Sequence, residues 1–298
     1  MVPSISLINM QKKVSIITSC FNRQNTIDGC IQSVLRQNYN NIEYIIVDGA
    51  SKDNTLGVIN KYKDKLAAVI SEPDNGMYEG INKGFKIATG DIIGLVHSDD
   101  FLFDNNVINA VVDCFNSNNY DIVYGNGIYV DNENINCIRR DWISGAYSKN
   151  KIKRGWLPLH PTVYISKVWL EECGLYDESY KIAADTDWLL HSFYDLSPKV
   201  FYLKKYIVRM RMGGLSTSSK NSKNKWEEDL RIYKAHGIQP QIALTGKIIS
   251  KIPQFIRAMF ISLDNIPSVD VNKPKRVGVI VKVPFRHAAQ SSQERRAA

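Results

Sequence analysis

Between Lys13 and Asp100 the chain alternates short apolar runs with amphipathic segments, and this alternation limits its fold more than any other feature. Val14-Ser15-Ile16-Ile17-Thr18 reads as a buried strand ending in the turn-like Cys20-Phe21-Asn22-Arg23. A helix is predicted next, with Ile27, Cys30, Ile31, Val34 and Leu35 at i, i+3, i+4, i+7 and i+8. Asn25 is its expected N-cap, and Asp28 suits the dipole of its first turn. Residues 42–47 form a second strand, 54–61 a short helix, 67–71 a third strand, 78–88 a helix and 91–96 a fourth strand. Continuous apolar strands separated by helices imply an α/β fold, a mostly parallel sheet with helices on both faces. Ligands of such sheets bind beyond the carboxyl ends of the strands. Those ends are residues 19–22, 48–51, 72–76 and 97–100, so the polar residues of the first hundred positions converge on one rim.

Beyond Asn118 the pattern is less regular. A strand is expected near 121–124, then a hairpin reaching Arg140, then a helix from Ile182 or Ala183 that carries Asp185, Leu189 and Leu190. Residues 226–260 read as helical. There Ile248, Ile249, Ile252, Phe255, Ile256, Met259 and Phe260 are interspersed with Lys247, Lys251 and Arg257, and Pro253 is expected as a kink. A helix packed on the sheet or on a partner chain, and a helix lying on a membrane surface, both satisfy that pattern. The organisation expected is an α/β domain over 13–216, a helical and membrane-associating region over 217–262, and a basic flexible tail over 263–298. The stretch from His287 has the look of an appended extension.

Bulk properties narrow the classes. No apolar run approaches the roughly 18 residues of a spanning helix, and residues 1–10 lack the basic region of a signal peptide. Cys20, Cys30, Cys114, Cys137 and Cys173 form no Cys-x-x-Cys pair, which argues against a zinc site or disulfide framework and for a reducing, cytoplasmic setting. The net charge is +8, but from residue 271 onward seven basic residues face one acid, a net of +6 that leaves +2 for the remainder. The basicity belongs to the tail, and no nucleic-acid partner is expected.

Two adjacent carboxylates, Asp99 and Asp100, stand at the end of the fourth strand in His97-Ser98-Asp99-Asp100. Such a pair repels unless a cation or donors neutralise it, and Mg²⁺ or Mn²⁺ held by one or two carboxylates and substrate phosphates is a natural counter-charge. A solvated turn before a helix at Asn105 is the plain alternative. Asp48, at the end of the neighbouring strand, is placed to accept hydrogen bonds from a base ring, and Lys83 to meet a phosphate as a point charge. Asp185 lies between apolar residues at a helix start, where burial is expected to raise its pKa and suit it to general-base work. Helix capping by Asp185 or Asp187 fits the same spacing.

Taken in order, residues 14–22, 47–55, 71–84, the Ser98-Asp99-Asp100 end and Ala184-Asp185-Thr186-Asp187 resemble family 2 glycosyltransferases of the GT-A fold. The Ser-Glu-Pro-Asp-x-Gly-x-Tyr-x-x-x-Asn-Lys-Gly run over 71–84 is similar to the bacterial branch that builds O-antigen and capsule repeat units. The resemblance covers about 13–216 and implies inverting, metal-dependent transfer from a UDP-sugar to a saccharide acceptor linked to polyprenyl diphosphate, at the inner membrane face. It implies a nucleotide-sugar site made by Thr18, Ser19, Phe21, Asn22, Asp48, Asp74, Gly76, Tyr78, Asn82, Lys83 and Asp99. Asp100, with Asp99, would hold Mg²⁺ or Mn²⁺. Asp185 would be the catalytic base, and His160, Asp187 and Trp188 would lie on the acceptor side. One departure stands out: His97 occupies a position where many relatives carry an Asp. Two other readings remain, a non-catalytic sugar-nucleotide or glycan-binding module, and a nucleotidyltransferase, which the absence of a glycine-rich loop after the first strand disfavours.

Overall fold

The computed structural model describes residues 11–213 and 222–261. Every residue of β1 (Val14–Cys20) is buried, because this strand lies inside a nine-stranded sheet and is covered on both faces. After α1 (Ile27–Leu35), β2 (Ile42–Asp48) pairs in parallel with β1; after α2 (Thr55–Asn60), β3 (Ala68–Ser71) pairs in parallel with β2. After α3 (Met77–Ile87), β4 (Ile92–Leu95) joins the other side of β1, also in parallel. The capping position of α1 is Thr26, not Asn25 as expected. Its hydroxyl makes no cap bond and instead donates to the Ser98 carbonyl at 3.0 Å, tying the helix start to the acidic loop.

The second half departs from a parallel pattern. It contains β5 (Phe101–Leu102), α4 (Val107–Ser117), β6 (Ile122–Val130), β7 (Ile138–Trp142), α5 (Lys149–Ile152), β8 (Tyr164–Ser166), α6 (Lys167–Cys173), α7 (Ala184–Leu190) and β9 (Val200–Arg211). The sheet order is β3-β2-β1-β4-β8-β6-β9-β5, with β7 added to β6. β8 runs antiparallel to β4 and β6, and β5 antiparallel to β9, while β9 is parallel to β6. The sheet is therefore mixed, where a mostly parallel one was expected. One cause is visible at β6 and β7: residues 131–137 are too few for a crossover helix, so the chain must reverse as a hairpin. β9 was not anticipated. Lys204, Lys205, Arg209 and Arg211 mask it, although its Val, Phe, Tyr and Ile content is that of a strand.

Apolar side chains fill both faces of the sheet. Ile17, Ile45, Ile81, Phe85, Trp188 and Tyr233 belong to one layer, and Ile16, Ile31, Val34, Ile46, Ile108 and Val111 to the other. Among the described residues the C-terminal region holds three helices, α8 (Ser222–Ala235), α9 (Pro240–Ile249) and α10 (Ile252–Ala258). Pro253 does not kink a longer helix; it occupies the first turn of α10, where its missing N–H is harmless. α10 docks on β7 through Arg140 Nε to Gln254 Oε1 at 2.6 Å and Arg257 Nε to Asp141 Oδ2 at 3.2 Å. The tail expected over 263–298 lies outside the described residues.

Candidate active site

The rim is built by the turns that follow β1 and β2. Asp48 is fully buried, and its carboxylate accepts from Ser51 N at 3.1 Å, from Ser51 Oγ and from Ser71 Oγ at 2.8 Å. Asn22 and Ala50 both take positive φ, at 52° and 59°. Asn22 N donates to Ser51 Oγ at 2.8 Å and Asn22 Oδ1 accepts from Lys52 N at 2.8 Å, so the two turns are stitched to one another. Phe21 stands half exposed beside them, an aromatic face at the mouth of the cleft. Asp74 lies against Gly49, and Ser19 Oγ is so close to Gly80 that an added Cβ would sit 2.3 Å from it. Burial, chiefly, raises the Asp74 pKa. Gly76, at φ +137°, starts α3 in a conformation L side chains avoid.

Three residues expected at the nucleotide are engaged by partners within the protein. Thr18 is fully buried beneath the rim and donates to the Val96 carbonyl at 2.7 Å. Asn82 staples the 176–178 loop, donating to Tyr176 O at 2.9 Å and Glu178 Oε1 at 2.8 Å. The Lys83 ammonium is paired with Glu72 at 3.0 Å and Glu79 at 3.1 Å. These three side chains hold the scaffold of the rim.

Asp99 is partly exposed, whereas Asp100 is 2 % exposed and accepts from the Arg211 N–H at 2.9 Å. Burial, then the charge of Asp99, pushes the Asp100 pKa well above the usual carboxylate range; Arg211 and Arg23 offset this only in part. The donor set is oxygen-only and short of positive charge, which fits a hard divalent cation shared with substrate phosphates. Among the described residues no three His, Cys, Asp or Glu side chains form a complete cage, so phosphate oxygens would have to complete the coordination. Arg23 and Arg211 had not been singled out. Arg23 directly follows the first strand's turn, a usable signal; Arg211 ends the unanticipated β9.

Asp185 sits in the first turn of α7, its Oδ1 accepting from Thr186 N at 2.8 Å and standing 3.3 Å from Tyr78 Oη. Burial favours its neutral form, but Lys225, His160, Lys247 and the Thr186 N–H prevail and hold its pKa below the usual value. The raised pKa expected from burial is thus reversed, because cations from α8 and α9 face the carboxylate. His160 is buried with Nε2 on the Tyr176 hydroxyl, and its ring centroid is 5.9 Å from that of His97. Burial drives the His160 pKa down to about 4 and lowers that of His97 as well, so both rings are neutral near pH 7. Asp187 pairs with His236 Nε2 at 3.1 Å, and Trp188 is core, donating to Gly174 O at 3.0 Å.

A carboxylate-lined cleft beyond the carboxyl ends of β1, β2 and β4, on a mixed sheet with helices on both faces, defines a GT-A-like fold. Residues 15–178 match the Glycosyl transferase family 2 profile, more than half of the chain. The chain belongs to glycosyl transferase family 2. It is 29 % identical over 215 residues to an uncharacterized glycosyltransferase of Rickettsia prowazekii, covering 69 % of this chain and 66 % of that protein. A PGL/p-HBAD biosynthesis glycosyltransferase of Mycobacterium bovis is 24 % identical, over 68 % of this chain and 79 % of its own length. In fold, the chain is similar to S. aureus TarS 1–349 in complex with UDP-GlcNAc, with TM-score 0.60, 19 % identity, and coverage of 85 % of this chain and 74 % of that one. The mannosyltransferase PcManGT from Pyrobaculum calidifontis, in complex with GDP-Man and Mn²⁺, gives TM-score 0.59 at 13 % identity, covering 88 % and 78 %.

Proposed function

We propose that this chain transfers a hexose or N-acetylhexosamine from a UDP-sugar to a saccharide hydroxyl, with inversion at the anomeric carbon. The observation that carries this reading is the placement of Asp185, 3.3 Å from Tyr78 Oη on α3, with Asp99 and Asp185 both acting on the His97 ring that precedes the acidic pair; the Asp185 carboxyl is also held below its usual pKa. Asp185 takes the proton of the acceptor hydroxyl as its oxygen attacks the anomeric carbon. The bond to the nucleotide diphosphate breaks on the opposite face, and one displacement inverts the centre. Phe21 offers a stacking surface to the base, while Arg23 and Arg211 bring positive charge to the diphosphate side. A Mg²⁺ or Mn²⁺ ion held by Asp99 and Asp100 would neutralise charge on the departing diphosphate. The UDP-GlcNAc bound to one structural neighbour supports the donor class.

The acceptor in this reading is linked to polyprenyl diphosphate, in cell-surface polysaccharide synthesis at the inner membrane face. No helix among the described residues is long and apolar enough to cross a membrane. Ile248, Ile249, Ile252, Ile256, Met259 and Phe260 are all more than half exposed, an apolar surface that supports contact with a lipid surface. A panel of sugar nucleotides with Mn²⁺, Mg²⁺ or EDTA, scored by release of free nucleotide, tests the reading. Donor-selective release with a saccharide acceptor supports it; tight binding without turnover on any donor would instead establish the non-catalytic binding module.

A further inference from the structure

We propose that Glu228, on α8, is a positioning residue for Asp185, so that the C-terminal helices complete the active site. The inference rests on the reading of Asp185 as the base. Three consecutive backbone N–H groups, of Lys181, Ile182 and Ala183, donate to the two oxygens of Glu228 at 2.9, 3.0 and 2.9 Å. Consecutive N–H groups converge on one anion only where the chain is held in a concave bend. The Glu228 carboxylate is buried, and without it the buried N–H groups of Ile182 and Ala183 would lose their partner.

That bend is the last stretch of chain before the base. Ala183 occupies the capping position of α7 and has no side chain able to cap it. Glu228 binds the N–H of that capping residue itself, and those of the two residues before it, from the distant α8. Tyr78 Oη grips the same segment from the opposite side, donating to the Ile182 carbonyl at 2.8 Å. α8 is in turn fastened to α9 by Lys247 Nζ to Asp229 Oδ2 at 3.0 Å. The direction in which Asp185 enters the cleft is therefore set by where Glu228 stops the 181–183 segment. Glu228 touches neither substrate nor Asp185, and it lies beyond the 15–178 segment that defines the family.

The test compares Glu228→Gln and Glu228→Asp with the unaltered full chain, in donor-release kinetics and in calorimetric titration with UDP and Mn²⁺. Gln keeps the size but turns one acceptor into a donor that faces the N–H groups. A positioning role predicts a kcat loss on the order of 10²-fold, with UDP affinity and donor KM kept within about twofold. Glu228→Asp, which keeps the carboxylate, should lose less. A melting temperature lowered with kcat per folded molecule unchanged in Glu228→Gln would overturn the proposal, since Glu228 would then only stabilise. Asp185→Asn, assayed alongside, separates the two readings. If it turns over normally, the base assignment fails and the inference with it. If it is inactive while Glu228→Gln is unimpaired, the positioning role alone fails.

Discussion

Tyr78 Oη lies 3.3 Å from Asp185 Oδ1, so a phenol on the helix that borders the donor rim touches the carboxylate proposed to activate the acceptor. The two residues are 107 positions apart, yet the same hydroxyl also holds the Ile182 carbonyl at 2.8 Å. Tyr78 is 4 % exposed, and burial raises its pKa well above the usual phenol value, so it stays a donor across the working range. The rim and the proposed base are thereby mechanically joined.

Removing that hydroxyl should be felt in turnover. A hydrogen bond to a charged group contributes about 1.5–3 kcal/mol, and because Tyr78 shares one proton between two acceptors, Tyr78→Phe should lower kcat about tenfold. Calorimetric titration with UDP should be unaffected. A Phe variant with undiminished kcat would show that the contact does not matter to the base.

The lowest-pH inflection of the rate profile should be set by Asp185. Its folded pKa lies below 3.8, so the carboxylate is deprotonated and competent above that pH and loses competence only as pH falls through the lowered value. Lys225 is the strongest of the groups that depress it. Lys225→Met should therefore move that inflection of kcat/KM to higher pH, measured per folded molecule. An unmoved inflection would remove Lys225 from the account.

His236 bridges Asp195, through Nδ1 at 2.7 Å, and Asp187, through Nε2 at 3.1 Å, while His191 approaches Asp195 at 3.4 Å. Burial favours the neutral ring, but the two carboxylates prevail and raise its pKa above 6.5. A raised pKa stabilises the fold fully below 6.5, and that stabilisation is lost as pH rises through the folded value. The melting temperature should accordingly fall as pH rises above 6.5 in the unaltered protein, and the fall should be shallower in His236→Gln. Parallel melting curves would refute the clamp.

Gly94 has no room for a side chain. A Cβ there would stand 2.3 Å from Cε1 of the fully buried Tyr164 on the neighbouring strand. Gly94→Ala should cost about 1–3 kcal/mol by overpacking, seen as a lower urea midpoint with the slope unchanged. A midpoint equal to that of the unaltered chain would mean that Tyr164 can shift aside.

Much of the first hundred residues was legible in the sequence. Parallel strands buried on both faces write continuous apolar runs, and helices write a 3.6-residue period, so β1 to β4 and the rim they form followed from pattern alone. Asp48, Asp99, Asp100 and Asp185 are common residue types at turns and helix starts, and they stand out only through the motifs around them and their order along the chain. The direction of a side chain is another matter. Thr18 and Asn82 lie at the rim in sequence but turn into the core, since only the packing of the next layer fixes which partner each one meets.

The sequence by itself determined the alternating half of the sheet, the polar rim at its carboxyl edge and the acids on it, because these depend on local periodicity. Tertiary structure alone decided the rest. Contacts between distant segments made the second half of the sheet mixed, brought β9 beside β6, and set Lys225 and Lys247 against Asp185 to reverse its pKa. They also brought Glu228 to the bend before α7. Charge and hydrogen bonding act through space over a few ångströms, and no period in the chain records which residues 45 or 107 positions apart will share that distance. The Asp99–Asp100 pair is legible in the sequence, whereas only the folded chain sets the charge of Arg211, from the end of β9, against Asp100.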